Sequence, residues 1–306
     1  MQNLDYTSIF SELYSEISKE ENTGIVAQYI PELSRIDPTK FGVSLVNIKG
    51  KRSCFGDAEE KFSVQSIAKV LSLTMAYDIV GEKLWERVGV EPSGSKFNSL
   101  VQLEYEKGLP RNPFINPGAL VIADILVSEL ENPKEEFLKF VNQLCVSNIE
   151  YSEEVAESEK SCAYTNAALI NLMKSFGNIK NDIDVVMDFY FHLCSIEMTC
   201  VELAQSFMFL ANDGICPLSN TKITSPSNSK RINSIMQLCG FYDEAGEFSF
   251  KVGLPGKSGV GGGIVVVRPH EFSMVVWSPK LNKKGNSFFG TKFLEAFTTK
   301  IDYSIF

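Results

Sequence analysis

The hydrophobic period changes along the chain, because strand-like segments lie near both ends and a long helical section separates them. Residues 41–48 largely alternate between apolar and small or polar side chains, and residues 51–55 follow after a glycine turn. Toward the other end, residues 248–252, 263–267 and 272–277 form short β-rich segments between proline and glycine turns. The pattern predicts an α/β (α+β) fold whose antiparallel sheet is built from both chain ends.

Helical periodicity dominates the inserted section. We predict a single domain over residues 1–306, with sheet-forming parts at about 24–62 and 236–306 and a mostly helical part at about 63–235. The predicted helices cover residues 3–20, 26–35, 63–80, 117–130, 135–144, 163–176, 183–193, 201–212 and 288–300. The acidic segment 129–159 is interpreted as a solvated face of helix and loop.

The composition argues against several classes of function. The 38 acidic and 29 basic residues give a formal charge of -9, and no long Lys/Arg run occurs, so no nucleic-acid partner is expected. The two histidines and seven cysteines form neither an H-E-x-x-H nor a C-x-x-C motif, and no metal or cofactor is expected. No apolar stretch approaches the ~20 residues that cross a bilayer. With no export signal evident, we expect a cytoplasmic protein without a membrane partner.

The segment Ser66-Ile67-Ala68-Lys69 is the first candidate for chemistry. Residues i and i+3 share one face of a helix, which brings the Ser66 hydroxyl within reach of the Lys69 amine. A lysine whose pKa is lowered by burial can take the proton of a serine and make it a nucleophile. Ser66 also falls in the first turn of a predicted helix, with Ser63 as its candidate N-cap. Three further S-x-x-K patterns are placed in loops that lack this geometry: 93–96, 219–222 and 227–230.

Two further motifs follow along the chain. Lys257-Ser258-Gly259 is its one K-[ST]-G and precedes a predicted strand, where glycines let a substrate approach the backbone. The polar triplet Tyr164-Thr165-Asn166 lies between it and Ser66, near the start of a helix. The order S-x-x-K, polar-x-Asn, K-[ST]-G is typical of serine β-lactamases and penicillin-binding proteins. The motifs therefore favour a serine acyl-transfer enzyme, with a glycine-rich hairpin turn as the alternative interpretation of residues 259–263.

Longer stretches of this sequence resemble the serine-dependent glutaminases. They are residues 62–69 (FSVQSIAK), 111–119 (RNPFINPGA), 239–243 (CGFYD), 253–264 (GLPGKSGVGGGI) and 277–279 (WSP). The likeness extends from about residue 24 to about residue 289. It implies a β-lactamase-like fold and the hydrolysis of L-glutamine to L-glutamate and ammonia, without a metal or organic cofactor.

The resemblance also assigns roles to residues of this sequence. The implied catalytic residues are the nucleophile Ser66, its activating partner Lys69, Tyr242 at the reacting centre and Tyr29 near the substrate. The implied substrate contacts are Ser66, Asn116, Glu159, Asn166, Tyr190, Tyr242 and Val260. Glu159 suits the α-ammonium of glutamine, and asparagine amides with a tyrosine hydroxyl suit its α-carboxylate. The amides of Ser66 and Val260 would form the oxyanion hole. One departure is Thr165, which stands where an arginine often precedes the asparagine.

Two alternatives share the implied fold. One is a penicillin-interactive serine hydrolase, which the lack of an export signal disfavours. The other is a non-catalytic ligand sensor, which the lack of a membrane anchor or effector domain disfavours. For the protein as a whole we expect L-glutamine as the small-molecule partner and assembly into a homo-oligomer, a dimer or a tetramer.

Overall fold

A computed structural model describes residues 5–94 and 98–306 of the chain. The helices are α1 (Tyr6–Ile17), α2 (Ala68–Val80), α3 (Leu100–Tyr105), α4 (Asn116–Glu129), α5 (Pro133–Cys145), α6 (Glu153–Ser161), α7 (Tyr164–Ser175), α8 (Ile183–Ser195), α9 (Cys200–Ser206), α10 (Met208–Ala211), α11 (Pro226–Cys239), α12 (Ala245–Val252) and α13 (Phe288–Ile301). The strands are β1 (Gly42–Asn47), β2 (Arg52–Gly56), β3 (Phe62–Ser63), β4 (Glu150–Tyr151), β5 (Ile196–Met198), β6 (Ile215–Cys216), β7 (Thr221–Lys222), β8 (Gly256–Ser258), β9 (Gly263–Arg268) and β10 (Phe272–Trp277). Short 3₁₀ turns cover Pro31–Arg35, Gln65–Ile67, Gly81–Glu86 and Tyr242–Glu244.

The main sheet joins strands from both ends of the chain in the order β2-β1-β10-β9-β8. All its neighbours are antiparallel, and β1 pairs with β10 from Gly42 opposite Trp277 to Asn47 opposite Phe272. This arrangement confirms the predicted α/β (α+β) fold with an antiparallel sheet from both chain ends. It also brings β8, with the K-S-G motif, to one edge of the sheet.

Both faces of this sheet are covered, as alternate residues of the strands show. Val265, Val267 and Val275 face a core shared with the helical section, which includes α9 and α10. Ile264 and Met274 face a second core under α1, α12 and α13. Because side chains alternate across a strand, burial on both faces explains why β9 and β10 read as nearly continuous apolar runs.

Helix α2 is buried on almost every side, because α4, α5, α8 and α11 all pack against it. Its apolar residues therefore form no single stripe, as expected of a central core helix. Within the described residues, no helix is long and apolar enough to cross a membrane.

The predicted strand 248–252 is wrong, because these residues belong to helix α12. Phe248 and Val252, four residues apart, are buried on one helix face, whereas Phe250 is 90% exposed. The alternation of Phe248, Phe250 and Val252 fits a strand as well as a helix, and the stacking of Phe248 on Phe241 selects the helix.

Several other predicted boundaries also need correction. Of the predicted helix 26–35 only the 3₁₀ turn Pro31–Arg35 forms. The predicted helix 201–212 is split into α9 and α10. The segment 227–230, predicted as a loop, lies in the first turn of α11, capped by Ser225. The predicted first helix begins at Tyr6 in the structure, and its residues 3 and 4, like the Lys96 end of the S-x-x-K at 93–96, lie outside the described residues.

Candidate active site

Ser66 lies in a tight turn between strand β3 and helix α2. The 3₁₀ turn Gln65–Ile67 continues into α2, so Ser66 precedes the α-helix and does not open it, and Ser63 is not its N-cap. The Ser63 hydroxyl instead donates to the Cys194 carbonyl at 3.0 Å and accepts from the Gln65 amide at 3.0 Å. Gln65 has φ +52, a left-handed conformation that only the surrounding contacts can maintain in a non-glycine residue.

A cavity of about 260 Å³ opens at Ser66. Its lining residues are Tyr29, Ile30, Gln65, Ser66, Asn98, Asn116, Glu159, Cys162, Ala163, Thr165, Asn166, Tyr190, Cys194, Tyr242 and Val260. Every residue assigned by resemblance lines it except Lys69, which lies directly behind Asn116. The structure thus brings together in one place residues that are spread from Tyr29 to Val260 along the chain.

Lys69 is buried on the cavity side of α2, with 3% of its surface exposed. Its Nζ donates to the Asn116 Oδ1 at 2.8 Å and to the Phe114 carbonyl at 3.3 Å, and it lies 5.9 Å from the centre of the Tyr190 ring. Burial lowers the pKa of Lys69 to about 8, although Cys194 and Glu159 act in the opposite direction. A lysine with a pKa this close to neutral can act as a general base.

Two asparagines extend this network along the cavity wall. Asn116 begins helix α4, and its Nδ2 donates to the Oδ1 of Asn166 on α7 at 2.9 Å. The hydrogen bonds that connect Lys69, Asn116 and Asn166 fix the orientation of both amides, since both polar atoms of the Asn116 side chain and the Asn166 oxygen have defined partners. They leave the Nδ2 group of Asn166 as a donor toward the cavity.

Glu159 lines the cavity from helix α6. Only 7% of its surface is exposed, so interpreting segment 129–159 as a solvated face is wrong at this residue. Burial raises the pKa of Glu159 to about 7, while a hydrogen bond with Gln65 and the charge of Lys69 lower it. A buried carboxylate next to an open cavity is a natural partner for a ligand cation.

Tyr242 faces Ser66 from the C-terminal half of the chain. It has φ +55, and it lines the same cavity as Ser66. Burial raises the pKa of Tyr242 to about 12, against the lowering effect of the nearby Ser66 side chain. A strained tyrosine in contact with a candidate nucleophile fits a role at a reacting centre.

The glycine-rich turn between β8 and β9 packs directly on the backbone of the Ser66 turn. A Cβ on Gly259 would lie 2.5 Å from the Val64 carbonyl oxygen, and one on Gly261 would lie 2.1 Å from that of Ser63. Only glycine permits this approach, which places Val260 between them at the cavity. Among the described residues, no carbonyl or side chain accepts the Val260 amide, so this N–H is a donor for a ligand.

Trp277 holds this turn and the Ser66 turn together. Its ring stacks on Phe62 with centroids 4.9 Å apart, and its Nε1 donates to the Gly261 carbonyl at 3.0 Å. The end of β10 therefore positions both sides of the cavity with one side chain.

The remaining predicted residues differ in their placement. Tyr190, on α8, is buried in the cavity wall, and Tyr29 lies at the rim with 57% of its surface exposed. Thr165 lines the cavity, whereas Tyr164 is 84% exposed and is absent from the lining. In the part of the chain described, no group of three or more His, Cys, Asp or Glu residues is arranged to hold a metal ion.

Sequence reasoning assigned no role to seven of the fifteen lining residues, which are Ile30, Gln65, Asn98, Cys162, Ala163, Thr165 and Cys194. Gln65, Cys162 and Cys194 carry no pattern of their own, and only the neighbouring Ser66, Asn166 and Tyr190 draw attention to these segments. The left-handed backbone of Gln65 is the feature that distinguishes it, and no residue-type preference signals that conformation for a glutamine.

Comparison with known proteins identifies the family. The sequence profile described as Glutaminase matches residues 24–306. A Glutaminase of Saccharophagus degradans is 57% identical over 100% of both chains. The chain belongs to the glutaminase family. The predicted membership of a family of amidohydrolase enzymes is thereby confirmed.

Solved glutaminase structures share the fold of the whole chain. A structure described as the probable glutaminase ybaS has a TM-score of 0.94 at 30% identity and covers 100% of this chain and 99% of its own. A structure described as Mglu in its glutamate form has a TM-score of 0.92 at 29% identity and covers 99% of this chain and 70% of its own. The expected β-lactamase-like fold of the glutaminases is confirmed.

Proposed function

We propose that this member of the glutaminase family hydrolyses L-glutamine to L-glutamate and ammonia through a γ-glutamyl ester on Ser66. One observation carries the proposal: a single cavity is lined by a serine, a buried tyrosine and a buried carboxylate, and a buried lysine of lowered pKa lies directly behind its wall. The serine, the tyrosine and the lysine suit acyl transfer, and the carboxylate suits the α-ammonium of an amino acid. The glutamate form of Mglu, a structural relative, agrees with an amino acid ligand.

In the proposed reaction Ser66 Oγ attacks the side-chain carbonyl carbon of glutamine while its proton passes to the Lys69–Tyr242 pair. The amides of Ser66 and Val260 stabilise the negative charge on the carbonyl oxygen. The C–N bond then breaks, the nitrogen receives the proton, and ammonia leaves an ester on Ser66. Water then attacks the carbonyl carbon of this ester and gives one proton to the same pair, which delivers it to Ser66 Oγ as the ester C–O bond breaks. The other proton of the water is released when the new carboxyl group of glutamate ionises.

Substrate recognition in this proposal separates the two ends of glutamine. Glu159 pairs with the α-ammonium, while the Asn166 amide, with Asn116 behind it, and the Tyr190 hydroxyl bind the α-carboxylate. Tyr29 covers the substrate from the rim of the cavity. Both charged groups of the amino acid thus meet buried or half-buried partners, where electrostatic interactions are strong.

Ammonia release from L-glutamine and L-asparagine, and hydrolysis of a chromogenic β-lactam, test this proposal directly. We expect turnover of glutamine by the purified full chain. Turnover of the β-lactam alone would favour the penicillin-interactive hydrolase. A single equivalent of covalent adduct without turnover would favour the ligand sensor.

The pH dependence of kcat/KM follows from the two shifted groups. Lys69 accepts a proton in its neutral form, which grows as the pH rises through about 8. Glu159 binds a cation in its ionised form, which grows as the pH rises through about 7. Both changes have the same sign, so kcat/KM is expected to rise with pH over this range and to fall steeply below it.

The variant Glu159→Gln separates the two contributions. It removes the carboxylate that titrates near pH 7, and with it the negative charge that favours the ammonium form of Lys69. The rise of kcat/KM with pH that belongs to Lys69 therefore remains, and we expect it at a lower pH than in the parent chain. The control is Glu157→Gln, on the exposed part of the same helix, which leaves the profile unchanged. If kcat/KM of Glu159→Gln rises over the same pH range as in the parent chain, the rise cannot be assigned to Lys69.

The predicted homo-oligomer, a dimer or a tetramer, and the cytoplasmic location belong to this proposal as well. Sedimentation of the purified chain measures the first, and fractionation of the source cells measures the second.

A further inference from the structure

Lys257 is a fully buried lysine that has no role in the reaction proposed above. It lies in the middle of edge strand β8 and has 0% of its surface exposed. Among the described residues no carboxylate forms an ion pair with it, and its Nζ donates to the adjacent Ser258 carbonyl at 2.5 Å. An ammonium group buried without a counter-ion destabilises a fold, so stability does not explain a lysine at this position.

The Lys257 amine lies against the ring of the tyrosine that contacts the nucleophile. Nζ is 4.7 Å from the centre of the Tyr242 ring, and the hydroxyl of this ring is close enough to Ser66 for the serine to lower its pKa. An amine at this distance from an aromatic face interacts with the ring when it carries a proton. The Tyr242 side chain thus lies between Lys257 and the Ser66 hydroxyl, and Lys257 itself does not line the cavity.

The backbone fixes this arrangement on both sides. The Ser258 amide donates to the Gly240 carbonyl at 3.1 Å, two residues before Tyr242. A Cβ on Gly240 would lie 1.8 Å from the Gly256 carbonyl oxygen, so β8 and the segment leading to Tyr242 are in direct contact. The two backbone segments that carry the amine and the ring are therefore held against each other.

The charge on Lys257 depends on its neighbours. Burial, and then the ammonium of Lys69, lower the pKa of Lys257 well below its usual value, while Cys194 and Cys239 act in the opposite direction. Negative charge on the Tyr242 oxygen would favour the ammonium form of Lys257. By reciprocity, the ammonium form stabilises that negative charge.

We propose that Lys257 is a positioning residue that acts through Tyr242, holding its ring at Ser66 and stabilising negative charge on the phenol oxygen during proton transfer. The proposal rests on the proposed function, because it concerns the step in which Tyr242 carries the proton between Ser66 and the departing ammonia. The proton starts on Ser66 and ends on ammonia, and Lys257 neither donates nor accepts it.

A double-mutant cycle with Tyr242→Phe tests this role. Lys257→Met keeps an unbranched side chain out to Cε and removes the amine with its charge, and we expect kcat for glutamine to fall about 10- to 100-fold with little change in KM. In the Tyr242→Phe background the same substitution is expected to lower kcat by less than about twofold, since its target hydroxyl is already gone. The matched control is Lys251→Met, a lysine paired with Glu247 on α12, which should keep full activity.

The outcomes are distinct. Equal fractional losses in both backgrounds would mean that Lys257 supports strand β8 itself, and full activity of Lys257→Met would remove any role; either result overturns the proposal. Loss of ammonia release by the unsubstituted chain would instead contradict the proposed function. We expect the melting temperature of Lys257→Met to match or exceed that of the parent chain. If this variant does not fold, Lys257→Gln, which retains a donor for the Ser258 carbonyl, takes its place in the same cycle.

Discussion

Ser66→Ala is expected to lower kcat for ammonia release by about a thousandfold or more while leaving the fold intact. The substitution removes the oxygen that we propose as the nucleophile, and no other hydroxyl lies in the 3₁₀ turn Gln65–Ile67. Alanine is compatible with the helical backbone there, and Ser66 is only half-buried, so little packing is lost. Steady-state ammonia release measures the loss of activity, and a circular dichroism spectrum measures whether the fold is intact. Near-normal turnover by a folded Ser66→Ala protein would contradict the covalent mechanism.

Lys69→Ala provides the companion measurement. Its loss is expected to be comparable, and the double variant should be no slower than either single one, because residues that act as a unit are not additive. Ser234→Ala, on the exposed face of α11, is the control for replacing a helical serine. A double variant much slower than both single variants would show that Ser66 and Lys69 act independently.

Glu159→Gln is expected to reduce kcat/KM for glutamine by an amount equivalent to about 2–5 kcal/mol. This corresponds to a factor between about 30 and a few thousand. The physical reason is that the ligand's α-ammonium would lie in a desolvated site without its counter-charge. The variant keeps the shape of the side chain and its contact with Gln65, so the cavity itself is expected to persist.

A substrate analogue distinguishes binding of the α-ammonium by Glu159 from a purely structural role of this residue. Glutaramic acid lacks the α-amino group, so we expect it to be a poor substrate already and to change little on Glu159→Gln. Glu157→Gln again serves as the control on the same helix. Equal fractional losses for glutamine and glutaramic acid would mean that Glu159 maintains the structure of the site and does not bind the ammonium.

The sheet could be predicted from the sequence because strands buried on both faces consist of nearly continuous runs of apolar residues. Strands β1, β9 and β10 fell in predicted segments, whereas β8 was missed, since Gly256-Lys257-Ser258 has no strand-like pattern and pairs only through its backbone. The error at 248–252 has the opposite origin. There an alternating pattern exists, but the contact with Phe241, seven residues earlier, decides the conformation.

The candidate site could be predicted where its residues belong to a recognisable sequence motif, as Ser66, Lys69 and Asn166 do. The burial of Glu159 could not be predicted, because an acidic stretch gives no indication of which single carboxylate turns inward. Gln65 could not be predicted as a site residue either, for a different reason. Its contribution depends on a left-handed backbone and on side-chain bonds to Ser63 and Glu159, and neither property can be inferred from residue type.

The packing of the glycine-rich turn on the Ser66 turn also determines when in folding reactivity appears. The cavity joins segments from Tyr29 to Val260, and such distant contacts form late because the loops between them must close first. Until the glycine-rich turn docks, the Val260 amide is far from Ser66, and the proposed oxyanion hole lacks one of its two donors. We therefore expect Ser66 of a nascent or partly unfolded chain to be unreactive, and to become reactive only after the strands from the two ends of the polypeptide have paired.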